Sequence, residues 1–215
     1  MEPNGQGGPP QGTDFSIDFT FAELLTGRLT PRPDWDQYFM AIAKVVSTRS
    51  TCSSRPVGCV ITRENRILVT GYNGAPPGEP HCTDMGEPGE LFCARRAQMV
   101  PDSMKLQSCR SLHAEENALN LADRLGLSDL LKGASVYTTL SPCIRCIEHL
   151  KRCGVTKVFF ELAYQSVDAQ RDRMWVETAL AAFEVYRQVS LGSASARKIA
   201  GALLGTTSER LLASG

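Results

Sequence analysis

The pattern that most constrains this chain comes in two pieces, His113-Ala114-Glu115 and then Pro142-Cys143-Ile144-Arg145-Cys146. Cys143 and Cys146 stand three residues apart at a predicted helix start, so their sulfurs share one face. Pro142 suits the first turn of such a helix. The electropositive helix N-terminus lowers thiol pKa and favours the thiolates that a soft cation needs. His113 opens a second predicted helix and supplies a neutral imidazole. Two thiolates and one imidazole leave the fourth position of tetrahedral zinc to water. For these side chains to meet, the fold must bring two helix starts to one point.

Glu115 stands two residues past His113. An ideal helix rotates such a residue by about 200°, so the two do not simply share a face. At a frayed first turn the carboxylate can still lean over the open metal position. There it would take a proton from the water and pass it on as a general acid–base. Glu116 is expected to point elsewhere, as a surface or interface residue. A structural zinc, or no metal at all, is the alternative reading. A structural site has no need of the Glu115 carboxylate, which favours a catalytic zinc.

The 215 residues fit one domain with tails and can bury a full core without staples. A hydrophobic fraction of 42% and a charged fraction of 21% are ordinary for a soluble globular chain. The formal net charge is zero, which argues against a nucleic-acid partner held by phosphate neutralisation. A single small nucleotide needs only one or two local cations. No apolar run approaches the roughly 18 residues of a membrane span, and the Gly/Pro/Gln-rich N-terminus has no apolar signal core. The expectation is no membrane partner and a cytoplasmic location. In that compartment the eight cysteines read as metal ligands or buried residues rather than disulfides.

Residues 1–14 cannot build a core and read as disordered. Phe19, Phe21, Leu24 and Leu25 offer a short docking segment ahead of Pro31 and Pro33. Apolar spacing predicts a helix over 34–49, strands at 57–62 and 67–72 joined by a polar turn, and a long Gly/Pro-rich loop over 73–111. Helices at 113–125, 143–153, 167–182 and 194–204 then alternate with strands at 134–139, 157–161 and 183–190. This order predicts an α/β fold, a three-layer α/β/α sandwich with a mixed five-stranded sheet. The organisation expected is an extension over 1–32, one zinc-binding domain over 33–190, and a C-terminal helix and tail over 191–215.

The split pattern is the signature of zinc deaminases. It stands beside Thr51-Cys52, Arg55-Pro56-Val57-Gly58, Gly71-Tyr72-Asn73-Gly74-Ala75-Pro76, Pro80-His81-Cys82 and His-Ala-Glu-x-Asn-Ala at 113–118. With these segments the chain resembles the deoxycytidylate deaminase branch of the cytidine deaminase superfamily, from about residue 33 to 190. Residues 1–32 and those after 190 match nothing in the family, and the stretch from Cys82 to Cys109 matches it only loosely.

The resemblance implies a cytidine deaminase-like fold and hydrolysis of dCMP to dUMP and ammonia through a tetrahedral adduct at C4. It implies a catalytic zinc on His113, Cys143 and Cys146, Glu115 as the catalytic proton carrier, and a homo-oligomer that closes its sites with neighbouring subunits. Asn73 would hydrogen-bond the sugar and Tyr164 would close over the nucleotide, with Ala114 and Ser141 as further substrate-binding candidates. Asn73 as a plain turn residue, and Tyr164 as an ordinary loop aromatic, are the alternatives.

Arg110 and Arg124 are the candidates for phosphate, with Arg55, Arg95 and Arg96 as further options. Some members of the family carry a second, structural zinc near the long loop. Cys52, Cys82 and Cys109, plus His81 or Cys93, are its candidate ligands here. Small buried hydrophobes are the other reading of these cysteines, and it suits Cys59 and Cys153 better. His149 reads as a surface residue. The rival functions are a deaminase of another nucleoside or nucleotide, a deaminase of a base within a polynucleotide, and a zinc-binding pseudo-deaminase without activity.

Overall fold

Asp34 sets the first helix, α1 (Trp35–Ser47), by a reciprocal cap. Its carboxylate accepts the Gln37 N–H at 2.7 Å, while the Gln37 side-chain oxygen accepts the Asp34 N–H at 3.4 Å. The computed structural model describes residues 32–87, 91–99, 104, 109–166 and 168–203. The expectations for 1–31, including the Phe19–Leu25 segment, and for the tail after 203 lie outside the described residues.

A hairpin follows, β1 (Gly58–Arg63) and β2 (Arg66–Tyr72). Its turn residues Glu64 and Asn65 both have positive φ, 52° and 58°, as the twist of a tight hairpin requires. The long loop is not bare. It holds a 3-10 turn at Cys82–Asp84 and a single helical turn, α2 (Ala94–Ala97). Then come α3 (Ala114–Arg124), β3 (Ser135–Leu140), α4 (Ile144–Arg152), β4 (Lys157–Leu162), α5 (Ala169–Ala182), β5 (Val185–Gln188) and α6 (Ser193–Leu203).

The sheet order is β2-β1-β3-β4-β5, antiparallel across β2, β1 and β3 and parallel across β3, β4 and β5. The parallel half needs crossovers, and α4 and α5 supply them. Alternating strand residues feed two cores. Cys59, Ile61, Val136 and Val158 meet Ala118 of α3, Leu150 of α4 and Ala179 of α5 on one face. Val60, Tyr137 and Phe159 meet Phe39, Met40 and Ala43 of α1 on the other. The three-layer sandwich with its mixed sheet is thus as the sequence predicted.

One strand differs from its expected bounds. β5 is shorter than 183–190, because Phe183 turns into the core beside Ala179 instead of pairing in the sheet. The C-terminal helix is docked: the Ser195 hydroxyl donates to Gln37 Oε1 of α1 at 2.8 Å.

One glycine decides where the site forms. A Cβ on Gly71 of β2 would stand 2.3 Å from the Ala114 carbonyl oxygen and 2.5 Å from the Ala118 nitrogen. Its absence lets α3 lie directly on β2.

Candidate active site

β3 ends at Leu140, and the chain turns through Ser141 and Pro142 to Cys143, the N-cap of α4. Cys146 lies in the first turn, and His113 is the N-cap of α3. Both caps have extended backbone, with ψ of 169° and 156°. The two helix starts meet. Nδ1 of His113 is 3.4 Å from each sulfur, and the sulfurs are 3.6 Å apart. Zinc bonds of about 2.3 Å to sulfur and 2.0–2.1 Å to nitrogen give tetrahedral edges of roughly 3.5–3.8 Å. The triangle therefore fits zinc. Among the described residues it is the only group of three such ligand atoms within 4.8 Å of one another.

Without metal the triangle carries one thiolate, while the Cys143 contact and burial hold the Cys146 thiol up. Contact with the Cys146 sulfur pulls the Cys143 thiol down to about 4, against burial, and His113 lowers it further. The Cys143 hydrogen bond in turn raises His113 to about 9. Glu115 is 4% exposed, and its Oε2 is 3.8 Å from the Cys146 sulfur. Burial raises its pKa and the His113 charge opposes the rise. The helical offset from His113 does not keep the carboxylate from the triangle, because His113 is a cap with non-helical backbone. Glu116 stays out of the metal triangle, as expected. It is half-buried, and its Oε2 accepts the His113 N–H at 3.5 Å, which ties the ligand to its helix.

The triangle opens into a cavity of about 540 Å³. Asn73, Ala114, Ser141, Tyr164 and Arg55 all line it. The Asn73 amide is heavily committed. Its Oδ1 accepts from Ser50 Oγ at 2.7 Å and from the Val57 N–H at 2.7 Å, and its Nδ2 donates to the Arg55 carbonyl at 2.9 Å. An amide has two lone pairs and two donor hydrogens, so one N–H is left for a ligand and no acceptor. Asn73 is 8% exposed. It is both a loop organiser and a cavity donor, so the two readings of it coexist.

The structure sorts the arginines. Arg55, Arg95 and Arg96 line the cavity. Arg110 instead pairs with Glu79 at 2.8 Å and is not among the cavity-lining residues. Arg124 ends α3, exposed. Eleven residues of helix rise by about 16 Å, so sharing a face with His113 does not bring it to the metal.

The second ligand set is looser. Cys52, Cys93 and Cys109 line the cavity wall, and the charges of Cys52, Cys93 and Cys82 add to burial in raising Cys109. Cys52, His81, Cys82, Cys93 and Cys109 do not close to within 4.8 Å as a group of three, so the structure does not assemble the second zinc site. Cys59 is fully buried as expected, Cys153 only half so, and His149 is half-buried in the last turn of α4. The sequence reading did not name Ser166, which lines the cavity, or Ser50, which holds the Asn73 amide. Polar residues in loops carry no spacing signal that would mark them.

A three-layer α/β/α sandwich with a Cys2His triangle at two helix starts defines a class, the zinc-centred α/β/α proteins. Within it, this chain belongs to the cytidine and deoxycytidylate deaminase family, whose zinc-binding region matches residues 33–162. The deoxycytidylate deaminase of Schizosaccharomyces pombe is 38% identical over 133 residues, which cover 62% of this chain and 38% of that protein. That of Mycobacterium phage D29 is 38% identical over 134 residues, 60% of this chain and 95% of the phage protein. The chain therefore spans well under half of the fission-yeast relative and nearly all of the phage one. The dCMP deaminase of cyanophage S-TIM5, solved in complex with dCMP and dUMP, superposes with a TM-score of 0.52 at 25% identity, covering 73% of this chain and 98% of that one.

Proposed function

We propose that this protein hydrolyses the exocyclic amine of dCMP: dCMP plus water gives dUMP plus ammonia. The observation that carries the reading is the buried Glu115 carboxyl, 3.8 Å from a sulfur of the metal triangle, at a cavity of nucleotide size. With zinc bound, such a site supplies a water activated as a nucleophile near neutral pH. The chain's own residues do the rest. Glu115 accepts one proton of the attacking water and passes it to ring N3, then takes the second from the hydroxyl of the C4 adduct and delivers it to the departing amine. Its burial favours the protonated form, as a carboxyl that must give the proton back requires. The free Asn73 N–H donates to a sugar oxygen, Ala114 and Ser141 frame the base, and Tyr164 covers it. Arg55, Arg95 and Arg96 face the phosphate.

The relatives and the S-TIM5 complex support the choice of dCMP among cytosine nucleotides. Zero net charge and a cavity of this size favour a single nucleotide over a polynucleotide. No described helix is long and apolar enough to cross a membrane. All eight cysteines are unpaired, which suits the reducing cytoplasm. Exposed Met174 and Leu180 on α5 and Leu162 at the end of β4 support association between copies of the chain.

The test is ammonia release from dCMP, deoxycytidine and dCTP under one set of conditions. A charge-assisted hydrogen bond contributes about 1.5–3 kcal/mol, so deoxycytidine should lose at least ten- to hundred-fold in kcat/KM. Equal rates for nucleoside and monophosphate, or a preference for dCTP or an oligonucleotide, would reject dCMP.

A further inference from the structure

Trp175 of α5 is not a cavity-lining residue, yet it touches both parts of the site. It is 7% exposed and packs with Cys143 and Cys146 in one buried cluster, with Tyr164 against it. The Trp175 and Tyr164 rings stack at 5.9 Å between centroids and 25° between planes. Each ring also carries a guanidinium: Arg55 is 5.3 Å from the Tyr164 centroid, and Arg171 is 5.3 Å from that of Trp175. Nε and Nη2 of Arg171 are buried with no hydrogen-bond partner among the described residues, so the ring face is the contact that offsets their desolvation. Of these four residues, Arg55 and Tyr164 face the cavity.

The same helix grips the Tyr164 loop again. Asp172, one turn before Trp175, accepts the Ser166 N–H at 2.6 Å and the Ser166 hydroxyl at 2.8 Å. Ser141 Oγ accepts the Tyr164 N–H at 2.7 Å. The loop backbone is thus anchored at both ends, and the Tyr164 ring is set by what it stacks on. A ring already in place binds a ligand without the ordering cost a free side chain incurs on binding.

We propose that Trp175, braced by Arg171, is a positioning residue that holds the Tyr164 ring and the Arg55 guanidinium in the cavity wall, and so sets substrate affinity without touching substrate. The inference rests on the dCMP reading. It predicts an effect on KM that runs through Tyr164. Stacking and cation–π contacts of ordinary strength make Trp175→Leu raise KM for dCMP about tenfold, with kcat within about threefold. In a Tyr164→Leu background the same change should raise KM less than about twofold further, because the contact is already gone. Trp175→Phe should restore KM to within about twofold, and Arg171→Met should raise it about two- to threefold.

A second readout does not need turnover. The chain has two tryptophans, so in a Trp35→Phe protein the emission is that of Trp175. Titration of the zinc-loaded protein with dUMP should change this emission saturably, and the change should vanish with Tyr164→Leu. An equal KM penalty for Trp175→Leu in both backgrounds, or lost stability and kcat at unchanged KM, would overturn the inference. Should Trp175→Leu fail to fold, an Arg171→Met protein with parental KM together with no emission response would overturn it as well. A parent protein that releases no ammonia from dCMP would overturn the substrate reading instead; a saturable emission change with dUMP that vanishes in Tyr164→Leu would still support the positioning role.

Discussion

The Ser50 hydroxyl donates to Asn73 Oδ1 at 2.7 Å, while the same hydroxyl accepts the Cys52 N–H at 3.1 Å. This small network reaches from the end of α1 to the end of β2 and fixes which edge of the Asn73 amide faces the cavity. With Oδ1 saturated, Asn73 presents only a donor. Ser50→Ala removes one of the three bonds that hold the amide, leaving the Val57 and Arg55 bonds in place and an Oδ1 lone pair open. A neutral hydrogen bond is worth about 0.5–1.5 kcal/mol, so KM for dCMP should rise by roughly two- to tenfold with zinc content unchanged. Steady-state kinetics with metal analysis checks this, and an unchanged KM would remove Ser50 from the site.

Glu115→Gln keeps the shape of the side chain and removes the proton carrier. Turnover should fall by at least about 10²–10⁴-fold, the usual worth of a general acid–base. The carboxylate is not one of the three ligand groups, so zinc content and melting temperature should stay near parental. Activity within tenfold of the parent would exclude the assigned role.

Gly71 has no room for a methyl group, since its Cβ would collide with backbone atoms of α3. Gly71→Ala must push α3 off β2 and carry His113 away from the cysteines. Overpacking of this kind costs about 1–3 kcal/mol. The expected result is a lower melting temperature together with weaker zinc retention under mild chelation. A surface glycine change of equal size, such as Gly126→Ala at its positive φ of 69°, should lower stability but leave zinc retention alone.

Metal analysis separates the two cysteine sets. The triangle of His113, Cys143 and Cys146 is assembled, so gently purified protein should hold at least one zinc per chain, and Cys143→Ser should abolish it. The loop cysteines are not drawn together to ligand distance. A ratio near one that is insensitive to Cys109→Ser would mean a single zinc. A ratio near two that drops with Cys109→Ser would mean that metal itself closes the second set.

What the sequence determined by itself is the local chemistry and the order of elements. The three ligands and Glu115 were legible because ligand spacing at helix starts is a short-range property, set by residues within one turn of each other. The layer order was legible because apolar periodicity records which faces are buried. Tertiary structure alone decided which long-range partners meet. Arg124 shares a helical face with His113, yet axial rise removes it, and Arg55, in the segment before β1, lines the cavity instead. Trp175 reads in sequence as one more apolar residue of an amphipathic helix. Only the packing of α5 brings the Trp175 ring against Cys143, Cys146 and Tyr164, which is what the proposed positioning role rests on. Contacts between distant segments depend on how whole layers pack, and no local pattern of residues encodes them.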